Sequence, residues 1–214
     1  MKETLNIEDV KVILHTVSDE LIKRKDFLTE LDAECGDGDF GVGMYIGFTN
    51  VKRSIDEYGG KDIGLLLKKA GQSILASVGG ASGPLFSTLF NGMGEKAEGK
   101  EEINLQLLAE MMKNALNKIS RFSGAKVGDK TLIDALVPAV RAMVDASKKG
   151  LSLEEALENA AQAAKQGAES TKNLVAKKGK ARYLGEATLG YQDPGATAIY
   201  LIFKSISDAY KSLK

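Results

Sequence analysis

The chain has 214 residues, of which 43% are hydrophobic and 27% are charged, a composition typical of a globular protein with a sizeable core. Its 29 basic and 29 acidic residues give a formal net charge of zero, which argues against non-specific nucleic-acid or anionic-membrane partners. No apolar run approaches the ~18 residues of a membrane span, the N-terminus has no apolar signal core, and the single Cys35 fits a reducing compartment. We therefore expect one cytoplasmic domain over residues 1–214.

Apolar residues recur with helical spacing through most of the chain, and no alternating pattern persists for the length of a strand. Glycine, proline and polar turns separate the periodic segments, and Pro138 is expected to kink its own helix. The predicted helices span residues 7–28, 41–58, 63–76, 85–93, 104–122, 132–147, 153–175 and 196–213. These helices and their short connections predict an all-α fold, a single antiparallel bundle or barrel whose glycine-rich and acidic loops gather at one end.

The stretch between the first two helices, Asp32-Ala-Glu-Cys-Gly-Asp-Gly-Asp39, places four carboxylates within eight positions. Carboxylates this close repel one another unless a cation compensates them. Mg²⁺ prefers carboxylate oxygens and keeps water or phosphate at its remaining positions, and Gly36 and Gly38 allow a tight turn. Asp37, Asp39 and Asp32 are thus candidate ligands of a Mg²⁺ site built for a phosphate ligand. The alternative is a solvated acidic turn.

Two other motifs fit the same stretch poorly. Gly36-x-Gly38-x-x-Gly41 has the spacing of a dinucleotide-binding loop, but a helix precedes it and its aspartates would repel a bare pyrophosphate. Gly41 also stands where an EF-hand loop needs its third ligand. The acidic neighbours of Cys35 should raise the pKa of its thiol, so we expect a packed thiol rather than a nucleophile.

A glycine-rich stretch, Ser77-Val-Gly-Gly-Ala-Ser-Gly-Pro84, separates the third and fourth predicted helices. Ser82 can cap the next helix, and Pro84 suits its first turn. Free N–H groups at a helix start attract phosphate oxygens, so this loop is a second candidate phosphate site. A plain helix–helix turn is the alternative.

Two later stretches could also meet a nucleotide. Gly124-Ala-Lys-Val-Gly-Asp-Lys-Thr131 nearly matches a P-loop, but Asp129 replaces a required glycine and a helix precedes it, so we reject that motif. Either Lys130 or the Gly124 backbone contacts a nucleotide, or Lys130 is a surface charge. The basic segment 177–182 either binds nucleotide phosphates or is a solvated turn.

Five motifs, in this order, resemble those of the DhaL family, the nucleotide-binding L subunits of dihydroxyacetone kinases. They are Gly36-Asp-Gly-Asp39, Val78-Gly-Gly-Ala-Ser-Gly-Pro-Leu-Phe86, Gly128-Asp-Lys-Thr131, Tyr183-Leu-Gly-Glu186 and Gln192-Asp-Pro-Gly-Ala196. The resemblance covers nearly the whole chain. It implies an eight-helix barrel that binds ADP or ATP through two Mg²⁺ ions.

The resemblance also implies roles for individual residues. The magnesium-binding aspartates of the family are matched by Asp32, Asp37 and Asp39. Its nucleotide contacts are matched by Phe40, Gly41, Val42, Gly43, Ala81, Ser82, Gly124, Leu132, Lys180, Asp193, Pro194 and Gly195. The family usually has histidine where Phe40 and Tyr191 stand here, although neither position is an implied metal ligand. No nucleophile is implied, because phosphoryl transfer depends mainly on positioning and electrostatics.

Family members of the phosphotransferase-system type keep a standing ADP that a phosphohistidine protein, DhaM, rephosphorylates, while a separate DhaK subunit holds dihydroxyacetone covalently on a histidine. This chain resembles the nucleotide half only, so DhaK-like and DhaM-like partners are implied, and a homodimer is left open. His15, the only histidine, lies outside every loop motif and is a poor candidate for the substrate histidine. The alternatives are the nucleotide domain of a fatty-acid kinase and a non-catalytic regulatory module that binds metal and nucleotide.

Overall fold

A computed structural model describes residues 2–213, and residues 1 and 214 of the predicted domain lie outside the described residues. Within this range the α-helices are α1 (Ile7–Lys23), α2 (Lys25–Ala33), α3 (Phe40–Asp56), α4 (Ile63–Ser77), α5 (Ser82–Lys96), α6 (Leu105–Ser123), α7 (Ile133–Lys148), α8 (Leu153–Ser170) and α9 (Pro194–Ser212). Two stretches of 3-10 helix, Thr171–Asn173 and Ala181–Thr188, separate α8 from α9. None of the described helices combines the length and the apolar character needed to cross a membrane.

Eight of the helices form a closed ring around the core. α1 packs on α3, each later helix packs on the next in chain order, and α9 returns to pack on α1. α2 lies outside this order and packs against α3 and α9. The large side chains in the middle of the ring, among them Phe48, Phe86, Phe203 and Tyr210, are fully buried. The predicted all-α, eight-helix barrel is therefore confirmed.

A short antiparallel sheet lies beside the junction of the first and last helices. β1 (Thr4–Asn6) pairs with β2 (Glu102–Asn104), and Leu5 stands opposite Ile103 with both side chains buried. The hydroxyl of Tyr210 in α9 donates to a backbone carbonyl just before β1. Strands of three residues are too short for an alternating pattern to reveal them, so the sequence did not predict them.

The first predicted helix, 7–28, is wrong as a single element. The structure divides it at Arg24, where ψ is 11°, and the second part continues to Ala33. The Arg24 N–H still donates to the Glu20 carbonyl, and the Arg24 carbonyl accepts from the Leu28 N–H. Both backbone hydrogen bonds of Arg24 are therefore kept at the bend. The extension carries Asp32 at the end of α2, where it faces the start of α3.

Two further helices also differ in their bounds from the predicted ones. The helix predicted over 85–93 is longer at both ends and begins at Ser82, because the glycine-rich turn before it is shorter than expected. The helix predicted over 153–175 ends at Ser170 and tightens into 3-10 helix. α7 continues through Pro138 as one helix.

Candidate metal and nucleotide site

One open cavity of about 360 Å³ lies where the loops at one end of the barrel meet. It is lined from four stretches that are distant in sequence: residues 32–40, 79–86, 122–133 and 178–195. The starts of four helices, α3, α5, α7 and α9, reach it through Phe40, Ser82, Ile133 and Pro194. A helix start carries positive partial charge and unpaired N–H groups, so this convergence favours an anion such as phosphate.

Two other cavities lie elsewhere in the barrel. A small cavity of about 50 Å³ inside the ring is lined only by apolar side chains. A wider surface groove of about 730 Å³ lies beside the starts of α6 and α8. Neither is lined by the acidic cluster, so the cavity at the loop end is the candidate functional site.

The helices that begin at this cavity differ from most of the others in their N-terminal caps. Side chains of Asn6, Asp62, Asn104 and Ser152 cap α1, α4, α6 and α8 by accepting a first-turn hydrogen bond. In α3, α5 and α7 the N-cap residue makes no such bond, although the first N–H of α3 donates to Asp32 Oδ2 and that of α7 donates to Thr131 Oγ1. The first-turn N–H groups of α7 are taken by Thr131 and Leu132, and α9 is capped by Asp193, so the first turns of α3 and α5 are the ones left with N–H groups for a ligand.

Asp32, Asp37 and Asp39 meet at one side of the cavity, and one carboxylate oxygen from each lies within 4.8 Å of the others. Asp32 Oδ2 accepts a hydrogen bond from the Phe40 N–H at 3.1 Å, which fixes this carboxylate against α3. A Cβ at Gly36 would lie 2.3 Å from Asp32 Oδ1, so only glycine lets the loop fold back over it. Three hard oxygen donors beside an open cavity fit a Mg²⁺ ion that completes its coordination with water or phosphate.

The ammonium group of Lys180 lies among these carboxylates. Its Nζ donates to the Asp37 carboxylate and lies 3.8 Å from that of Asp39. The hydrogen bond from Lys180 lowers the pKa of Asp37, whereas burial and the neighbouring charge of Asp37 raise the pKa of Asp39. One ammonium cannot neutralise three carboxylates, so the cluster keeps an excess of negative charge that suits a divalent cation.

Lys130 is buried, with 4% of its surface exposed, so the alternative of a surface charge is wrong. Its Nζ donates to the backbone carbonyls of Thr171 at 2.6 Å and Tyr191 at 2.5 Å. Burial lowers the pKa of this ammonium, and the nearby carboxylates of Asp193 and Asp134 oppose that shift. Lys130 therefore joins the loop before α7 to the segments that follow α8 and precede α9, and it holds these cavity walls together.

Asp134 shapes the same loop and was missed in the sequence. Its carboxylate is buried and accepts the Gly128 N–H at 2.6 Å and the Thr131 N–H at 2.7 Å. The spacing Thr131-Leu-Ile-Asp134 is that of a capping box, in which an acidic residue of the first turn reaches back to the N–H before the helix. That spacing is the signal that could have identified it.

Most of the predicted site residues line the cavity. They are Asp32, Asp37, Asp39, Phe40, Ala81, Ser82, Leu132, Lys180, Asp193, Pro194 and Gly195. The structure also brings Phe86, Phe122 and Gln192 to the cavity. Phe86 and Gln192 belong to motifs of the resemblance but had no predicted role, and no local pattern singles out Phe122. Buried Cys35 lines it too, and burial raises the pKa of its thiol more than its acidic neighbours do, as expected for a packed thiol.

Four predicted contacts do not line the cavity: Gly41, Val42, Gly43 and Gly124. Gly41 is buried where α3 meets α2, and a Cβ there would lie 2.1 Å from the Lys25 carbonyl oxygen. Val42 is exposed, and a Cβ at Gly43 would meet a side chain of the glycine-rich loop. Gly124 ends α6 in the left-handed conformation, with φ of 59°. These glycines position the neighbouring cavity walls, and their contacts with a nucleotide stay predictions.

Asp193 joins the cavity wall to α9. Its Oδ2 accepts the Ala196 N–H at 2.7 Å, and its own N–H donates to Thr171 Oγ1 at 2.9 Å. Although the residue is partly accessible, the atoms packed around its carboxylate penalise the charge and raise its pKa to about 7. The charge of Asp134 adds to this shift.

Asp193→Asn is expected to remove a pH dependence of stability. The folded-state pKa of about 7 lies above the ordinary value, so the stability that Asp193 contributes is fully present at low pH. It should fall as the pH rises from about 4 to about 7 and stay constant above that. Thermal unfolding in EDTA measures this, with Asp62→Asn at the start of α4 as the control for losing a capping carboxylate. Parallel pH profiles for wild type and Asp193→Asn would contradict the assignment.

Residues 34–208 match the DAK2 domain family. The chain is 39% identical to the ADP-binding subunit DhaL of the PEP-dependent dihydroxyacetone kinase of Escherichia coli, over 87% of this chain and 89% of that subunit. It is 33% identical to the L-erythrulose kinase of Pectobacterium atrosepticum, over 95% of this chain and 35% of that protein. The chain is also similar to the crystal structure of the dihydroxyacetone kinase from C. freundii in complex with AMP-PNP and Mg²⁺, with a TM-score of 0.75 and 28% sequence identity. The match covers 97% of this chain and 35% of the kinase chain.

Proposed function

Because the chain belongs to the family of DAK2 domains, we propose that it is the nucleotide-binding subunit of a multisubunit dihydroxyacetone kinase. Its named relatives are kinases, and the chain is accordingly a phosphotransferase component. In the proposed function it binds ADP or ATP with two Mg²⁺ ions and passes a phosphoryl group to dihydroxyacetone on a DhaK-like subunit. A DhaM-like phosphohistidine protein rephosphorylates the ADP in place, and the complex works in the cytoplasm.

The observation that carries this proposal is the convergence of three aspartate oxygens, within 4.8 Å of one another, beside four helix starts. When bound, Mg²⁺ neutralises charge on the β- and γ-phosphates. Asp32, Asp37 and Asp39 would hold the metal, and uncapped first-turn N–H groups of α3 and α5 would bind phosphate oxygens. The chain's own contribution is positioning and charge, and it supplies no nucleophile.

The cavity does not supply the histidine that holds the ketose covalently in the implied DhaK-like subunit. No histidine lines it among the described residues. His15 lies on α1 with its Nε2 3.0 Å from the Asp56 carboxylate. A short ketose has few apolar atoms, so it needs directed hydrogen bonds or a covalent link to be held against water. In the proposed function those groups come from a second protein.

Exposed apolar side chains within the stretches 122–133 and 178–195, which line the cavity, support docking at this end of the barrel. They are Phe122, Val127, Tyr183, Leu184, Leu189 and Tyr191. Tyr183 is 77% exposed, which is unusual for an aromatic side chain outside an interface. A partner docked on these side chains would exclude water from the phosphates and strengthen the electrostatic interactions of the site.

The purified chain alone is expected to give no steady phosphorylation of dihydroxyacetone by ATP. Turnover should appear when a DhaK-like subunit and a phosphohistidine donor are added, because the ketose site and the phosphoryl donor are then both present. A coupled assay that detects dihydroxyacetone phosphate measures this, and L-erythrulose tests the other short ketose that the relatives suggest. Turnover without a second protein would show a complete kinase site in this chain. Mg·ADP binding without turnover in any mixture would favour the regulatory module.

A further inference from the structure

Lys180 is the cation that forms ion pairs with the acidic cluster in the described part of the chain. Its ammonium contacts Asp37 and lies 3.8 Å from Asp39, at the place where the carboxylate oxygens converge. A divalent cation bound to the same oxygens would lie beside this ammonium. Because both cations would use the same carboxylate oxygens, and two positive charges this close repel each other even where solvent reaches them, the two cations compete for the cluster.

Lys180 belongs to a surface segment, residues 176–188, that is closed at its base. The Ala176 N–H donates to Thr188 Oγ1 at 3.0 Å and so joins the two ends of the segment. At its base, Lys177 contacts Asp129 through a backbone hydrogen bond and an ion pair. Between residues 178 and 187, the described hydrogen bonds and ion pairs that leave this segment are those of Lys180 and the local bond from the Leu189 N–H to the Glu186 carbonyl. Lys180 is therefore the polar tether between the segment and the acidic cluster.

We propose that Lys180 is the built-in counter-ion of the acidic cluster, and that a divalent cation displaces it and releases residues 178–187 from the edge of the cavity. The inference rests on the proposed function, because it requires the cluster to bind a cation. Lys180 compensates the carboxylates before the ion arrives, and the ion compensates them afterwards. The released ammonium is then available for the phosphates of the nucleotide.

Lys180→Gln should bind Mg²⁺ alone more tightly than wild type, by about two- to fivefold, because the competing ammonium is gone. The same variant should bind Mg·ADP more weakly, since the ammonium no longer meets the phosphates. Calorimetric titration with MgCl₂ in the absence of nucleotide, and then with ADP at saturating Mg²⁺, separates the two effects. Lys180→Arg keeps the charge and should stay close to wild type in both titrations.

Lys178→Gln is the matched control for the loss of a charge near the cluster. Lys178 lines the same cavity but forms no ion pair with the described residues, so its removal should change Mg²⁺ affinity less than Lys180→Gln does. An equal increase in Mg²⁺ affinity in Lys178→Gln and Lys180→Gln would show a general electrostatic effect and overturn the proposal.

Hydrogen exchange of residues 178–187 provides a readout independent of affinity. Mg²⁺ alone should speed amide exchange in the wild type by releasing the segment, and it should have no further effect in Lys180→Gln. Slower or unchanged exchange in the wild type would overturn this inference alone if Mg·ADP still binds. A wild-type protein that binds neither Mg²⁺ nor Mg·ADP would overturn the proposed function as well.

Discussion

Asp37→Asn and Asp39→Asn are each expected to weaken Mg·ADP binding by at least about 100-fold, because each would remove a charge from the proposed metal site. The helical content should stay at the wild-type level. Both side chains are largely exposed, at 44% and 71%, and their ion-pair partner is the exposed Lys180 rather than a core group. Losing one carboxylate also relieves repulsion within the cluster, so the fold does not need these charges.

Calorimetric titration with Mg·ADP and far-ultraviolet circular dichroism together test this expectation. Asp26→Asn is the matched control, because it removes an exposed carboxylate from α2, outside the cavity. Wild-type affinity in both cluster variants would contradict the metal assignment. A loss of helicity would show instead that the cluster serves the fold.

Lys130→Met is expected to lower the free energy of unfolding by about 2–4 kcal/mol, because it removes the donor from two carbonyls in the cavity wall. Those carbonyls belong to Thr171, which is fully buried, and to Tyr191. Mg·ADP affinity should fall too, since the segment that Lys130 holds includes Asp193. The left-handed backbone at Lys130, with φ of 59°, stays in place in the variant and offers no compensating relief.

Urea or thermal unfolding measures the loss of stability, and a comparison with Lys165→Met isolates the role of burial. Lys165 lies on exposed α8 surface with its Nζ 3.9 Å from the Glu169 carboxylate, so its loss should change stability by less than about 0.5 kcal/mol. Equal stability of the two variants would show that the buried hydrogen bonds of Lys130 contribute little.

The barrel could be predicted because helix periodicity and helix breakers are local properties of the sequence. The division at Arg24 could not, since the segment around it lacks glycine and proline, and the spacing of Leu21 and Leu28 remains helical across it. The bend follows from tertiary packing, in which α2 lies against α3 and α9 while α1 stays in the ring.

The candidate site likewise has a part that could be predicted from the sequence and a part that could not. The acidic cluster is predictable because its three aspartates lie within eight positions of the chain. The burial of Lys130 depends on acceptors 41 and 61 residues away, and the contact of Lys180 with Asp37 spans 143 residues. A local pattern contains no information about such partners, so it left Lys130 open between a nucleotide contact and a surface charge, and only the family resemblance implied a role for Lys180.

The closure of the ring by α9 has a consequence for synthesis of the protein. α9 is the last helix of the ring to emerge from the ribosome, so α1 cannot pack on it until then. Likewise, β1 cannot pair with β2 until β2 has been synthesised. α9 also carries Pro194 and Gly195, which form one wall of the cavity. A nascent chain therefore exposes the apolar seam of α1 until α9 is made, and its ability to bind nucleotide appears only in the last step of folding.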